Sequence, residues 1–91
     1  MTIVHDEDVL GGEACIEGTR VAVRHVAEGV VDRGRSPAHV ADQLDLPLAE
    51  VYEALSYYYA HVDEIREAER DNEVAAERAR DGSLKPKEPV E

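Results

Sequence analysis

Apolar positions along the chain change period twice. Near the N-terminus they come in short runs: Thr2-Ile3-Val4, Ala14-Cys15-Ile16 and Val21-Ala22-Val23. Such runs, rich in β-branched residues and bounded by turn formers, predict short strands. Between the last two lies Glu17-Gly18-Thr19-Arg20, a corner that predicts a hairpin-like reversal. Gly18 can take the positive φ of a tight turn and Thr19 can hydrogen-bond nearby backbone. From Val23 the spacing becomes helical. Val23, Val26, Ala27, Val30 and Val31 fall at i, i+3, i+4, i+7 and i+8, one face of a first helix that Gly34 is placed to end.

Ser36 and Pro37 then read as N-cap and first residue of a second helix, whose apolar stripe is Val40, Ala41 and Leu44. The break Leu44-Asp45-Leu46-Pro47 leads directly into a third. With Pro47 as N-cap, Leu46 and Val51 stand at the spacing of a hydrophobic staple. Val51, Leu55, Tyr58, Val62 and Ile65 continue as one seam in steps of four and three. The seam fails at Glu69 and Asn72. Residues 66–82 therefore read as a helical extension held by propensity and by pairs such as Asp63–Arg66, ending at Gly82.

The pattern predicts a mainly α fold. A short N-terminal β element precedes a trihelical helix-turn-helix core over residues 1–65. A long C-terminal helix follows over 66–82, then a disordered tail over 83–91. The helix entered at Pro47 occupies the place of a recognition helix.

Composition narrows the chemistry. The 91 residues allow one domain with a modest core and contain neither Phe nor Trp. The formal charge is −11, with two Lys and eight Arg against twenty-one acids, a balance that resembles proteins of salt-loving organisms. At that charge, self-repulsion is expected to weaken the fold in dilute salt. One cysteine, no leader-like start and no long apolar run predict a cytoplasmic protein without a membrane segment. His5, His25, His39 and His61 lack metal-ligand spacing, and no nucleophile–base or phosphate-loop signature is present, so neither cofactor, metal nor catalysis is expected.

Three stretches together carry a family resemblance: "GGEACIEGTRVAV", then Gly34-Arg35-Ser36, then "LDLPLAEVYEALSYYYAHVDEI". Across roughly residues 3–66 they closely resemble domain-of-unknown-function family 433, in which a β segment ending in Gly-Thr-Arg precedes a homeodomain-like trihelical core. The resemblance implies an antitoxin of a type II toxin–antitoxin pair. Such a protein would neutralise a PIN-like ribonuclease toxin and repress its own operon by binding operator DNA; the apolar and Tyr surface of the Val51–Ile65 seam separately predicts a homodimer or a heteromer with the toxin. The sequence departs from the family at Glu13, Ala14 and Glu17, where relatives tend to carry basic, Pro and basic residues, and at Ala22, where Pro is usual.

Candidate residues follow. For DNA they are Arg20, Arg24 and Arg35, with Tyr52 and Ser56 on the outer side of the third helix. For a protein partner they are Tyr57, Tyr59 and Ile65. Gly18, Thr19 and Arg20 form the structural turn, with Arg20 expected to clamp the hairpin to the first helix. The third helix carries no Lys or Arg, which leaves open a second reading: a homo-oligomeric interaction module whose helix-turn-helix no longer binds DNA.

Overall fold

A computed structural model describes residues 2–84. Strands β1 (Ile3–His5) and β2 (Ala14–Ile16) form an antiparallel pair with Ile3 opposite Ile16, Val4 opposite Cys15 and His5 opposite Ala14. A 3-10 turn, Leu10–Gly12, lies between them. The hairpin expected between Ala14–Ile16 and residues 21–23 is a correction: only the single bridge Cys15–Ala22 forms there. Val23 is already the first residue of a helix, because the Ala22 amide is drawn away to the side chain of His25, which caps that helix. The corner itself turns as its chemistry requires. Gly18 has φ 80°, and Thr19 Oγ1 donates to Ile16 O at 2.8 Å while accepting from Val21 N at 3.0 Å.

Helix α1 (Val23–Ala27) runs straight into a π-helical turn, Glu28–Asp32. The wider turn rotates Val31 off the core stripe and leaves it exposed, whereas Val23, Val26 and Ala27 are fully buried. Gly29 sits where α2 (Pro37–Leu44) crosses; a Cβ there would lie 2.9 Å from Val40 Cγ2. Ser36 Oγ accepts from the His39 amide at 3.1 Å and caps α2. The turn out of α2 is a Schellman closure with Asp45 in the left-handed region (φ 58°), Leu46 N donating to Ala41 O and Asp45 N to Asp42 O. Helix α3 (Leu48–Ala60) then starts with Pro47 as its N-cap, and the staple pair Leu46 and Val51 packs on the core.

Ile3, Ile16, Val23, Val26, Val40, Val51, Leu55, Tyr58 and Ile65 form one apolar cluster between the sheet and the helices. The fold is thus mainly α, with a small sheet, a trihelical core and a long last helix, α4 (Val62–Leu84). One expectation about that helix fails. The seam does not run unbroken, because His61 leaves helical geometry (φ −139°, ψ 50°) and separates α3 from α4. Val62 is consequently exposed, while Ile65 still enters the core. Helix α4 also continues past Gly82 to Leu84. The remainder of the expected tail, residues 85–91, lies outside the described residues.

Candidate functional site

The outer face of α3 is the most distinctive surface. At 100° per residue, Leu48, Tyr59, Tyr52, Ser56, Ala49 and Ala60 share an arc of about 120°. All six are exposed. None is charged, in a chain with 34% charged residues. The two acids of α3, Glu50 and Glu53, fall outside that arc. Tyr52 and Tyr59 are 54% and 65% exposed, an unusual cost for rings on a core this small. Tyr52 and Ser56 therefore stand where a recognition helix would meet a groove, and the face around them supplies no cation for phosphate.

The expected cations do not converge on that face. Arg24 is turned inward: its Nε donates to both carboxylate oxygens of Glu13, at 2.9 and 3.1 Å, and one terminal nitrogen donates to Asn72 Oδ1. Both side chains of the ion pair are only 14% exposed, so Arg24 is withdrawn from any phosphate. Arg20, expected to clamp the hairpin, is exposed and makes no hydrogen bond or ion pair among the described residues. The clamp is Arg24, because Glu13 at the start of β2 comes up against α1. Arg35 is exposed and meets His39 Nε2 at 3.1 Å.

The protein-partner candidates separate as well. Tyr59 is open. Ile65 is 2% exposed and belongs to the core, because the first turn of α4 folds back onto it. Tyr57 is half-buried, donates to Glu64 Oε1 at 2.8 Å, lies 3.2 Å from His5 Nε2, and stacks on His61 with ring centroids 4.1 Å apart. Burial, reinforced by the Glu64 carboxylate, pushes its phenol up to about 12. Burial acts to raise Glu64, but hydrogen bonds from His5 and Tyr57 outweigh it and hold the carboxyl below its ordinary range. This cluster joins β1, α3 and α4 at the helix break.

Sequence reasoning missed the role of Arg66. It donates to both Asp32 oxygens at 3.0 Å, to Glu69 Oε1 at 2.8 Å and to the Tyr58 hydroxyl at 2.7 Å, with its guanidinium 5.2 Å from the Tyr58 ring centre. The Arg66 hydrogen bond is the main reason Asp32 is held below its usual carboxylate range. Only the Glu69 contact had a signal in the sequence, the i+3 spacing. Nearby, burial raises the Glu28 carboxyl, and the Glu69 charge raises it further. Cys15 is buried, and burial pushes its thiol up, as for an inert small apolar residue. Among the described residues, no group of three His, Cys, Asp or Glu side chains is placed to hold a metal ion, and no helix is long and apolar enough to cross a membrane.

The small antiparallel sheet, the Gly-Thr-Arg corner and most of the trihelical core fall within one stretch that a family comparison recognises. Residues 3–58 match the family described as "Protein of unknown function (DUF433)", and the chain belongs to that family. No curated protein and no solved structure matches the chain.

Proposed function

We propose that the protein is a non-catalytic interaction module, antitoxin-like in role, whose helix-turn-helix core uses α3 for contact with protein rather than with DNA. The observation that supports this reading is the uncharged outer face of α3 with its two open tyrosines. Protein interfaces favour aromatic anchors and few charges at their centre, whereas duplex DNA draws most of its affinity from Lys and Arg. The resemblance adds the partner class, a PIN-like ribonuclease toxin; the single cysteine suits a cytoplasmic setting, and the open α3 surface suits a homodimer. Operator binding is the second reading. It is favoured by Arg20 and Arg35, which are exposed and could meet phosphate outside α3.

Co-expression with a PIN-like ribonuclease tests the first reading, together with titration against duplex DNA at low salt. The expected result is a stable protein complex that Tyr52→Glu weakens without lowering the melting temperature, and no DNA binding. Salt-dependent duplex binding that Arg20→Ala and Arg35→Ala weaken, with Tyr52→Glu silent in both assays, would overturn it.

A further inference from the structure

The α3 face has an internal order that bears on what covers it. Leu48, Tyr52, Ser56 and Ala60 lie at i, i+4, i+8 and i+12, a single ridge running the length of the helix. All four are exposed and uncharged. The two large side chains occupy the N-terminal half of the ridge and the two small residues the C-terminal half. Reversed end to end, the ridge becomes its own complement.

We infer that the partner of this ridge is the same ridge on a second copy of the chain, packed antiparallel about a two-fold axis, an inference that rests on the protein-interaction reading above. In a two-fold interface a residue i that meets j is matched by j meeting i. Aligning the i+4 ridges of two helices gives a crossing of about −50°. In that arrangement Leu48 lies over Ala60 of the second copy and Tyr52 over Ser56 of the second copy, each bulky side chain above a small one, twice over. Tyr59, on the neighbouring row, flanks the contact.

Charge favours the same occupant. Each copy carries a formal −11, so two copies repel over most of their surfaces. The ridge itself is uncharged, a place where like meets like with the exposed Glu53 of each copy lying to one side. A foreign partner would place no demand for the large-to-small reversal of the ridge. One helix face of thirteen residues covers less than the ~800 Å² per partner of a standard interface, so the dimer is of the weak, reversible kind and strengthens as salt screens the repulsion.

The full chain is tested by sedimentation velocity over a range of concentrations in dilute buffer and in molar potassium chloride. The expected result is a monomer–dimer equilibrium shifted toward dimer by salt and abolished by Ser56→Arg, with the melting temperature of that variant unchanged in dilute solution. Register is read by disulfide crosslinking, for which the buried Cys15 is a poor competitor. An equimolar mixture of Leu48→Cys and Ala60→Cys should crosslink at least several-fold faster than either variant alone. Leu48→Cys crosslinking to itself as fast as the mixture would overturn the antiparallel register. A strict monomer at every salt and concentration, with Tyr52→Glu still weakening the ribonuclease complex, would overturn the second copy while leaving the interaction reading standing. Tyr52→Glu silent in the ribonuclease complex beside an intact dimer would do the reverse.

Discussion

Arg24 and Glu13 form a two-oxygen ion pair, 2.9 and 3.1 Å from Nε, that fastens the start of β2 to α1 in a setting where both side chains are 14% exposed. Glu13 thereby contributes to the fold itself, its carboxylate meeting a guanidinium inside the molecule.

Removing one partner should therefore cost more than a surface pair would. Arg24→Ala leaves a largely desolvated carboxylate with only the Asn72 amide, 3.4 Å away, and about 3 kcal/mol of stability should be lost. Arg24→Met with Glu13→Leu should recover much of it. Urea unfolding of the two variants checks this, and equal loss in both would mean that the ion pair has no special weight.

Arg20 should behave in the opposite way. Its side chain is exposed and makes no hydrogen bond or ion pair among the described residues, so Arg20→Ala should melt within about 0.5 kcal/mol of the parent. A larger loss, read by thermal melts, would restore the clamp that the corner by itself suggests.

Arg66 should control the order of α4. It ties that helix to the π-turn through Asp32 and to α3 through Tyr58. Arg66→Ala should destabilise the protein by roughly 1–2 kcal/mol, the pairs being partly open to solvent. Amide hydrogen exchange should rise first along residues 66–80 and only later in α1 to α3. Uniform acceleration across the chain would show that α4 has no separate dependence on this residue.

The cap on α1 should make stability depend on pH. His25 Nδ1 accepts from the Ala22 amide at 2.9 Å, which requires an unprotonated nitrogen. Burial first, and then the Arg24 charge, lower its pKa from 6.5. The unfolded chain thus takes up the proton more readily than the folded one. Stability from this cap is complete above about pH 6.5 and declines as the pH falls through the lowered folded value. His25→Gln keeps an acceptor but does not titrate, so it should lose less stability than the parent between pH 7.5 and pH 5.5. An equal loss, measured by urea midpoints, would place the pH dependence elsewhere.

Local signals were sufficient wherever a feature depends on neighbours in the chain. The Ser36-Pro37 start of α2, the Leu46–Val51 staple, the Gly18–Thr19 turn and the helical period from Val23 are satisfied within a few residues, so the sequence by itself determined them. Residue types alone put Glu50 and Glu53 on the same non-core side as Tyr52 and Ser56, so the uncharged ridge from Leu48 to Ala60 is not legible there. What only the tertiary structure decided are the choices between competing partners distant in sequence. β2 takes β1 along one edge and only the single bridge to Ala22 along the other, because capping by His25 starts a helix at Val23. Arg24 rather than Arg20 became the clamp, because Glu13 is brought beside it across 11 positions. Arg66 reached back 34 positions to Asp32 although an acid lay three residues away at Asp63. Ile65 was drawn into the core while Val62, in the same apolar series, was left outside, because the break at His61 reset the helical phase. Periodicity records which residues can share a face; which face meets which is settled by burial and pairing, and those depend on the whole chain at once.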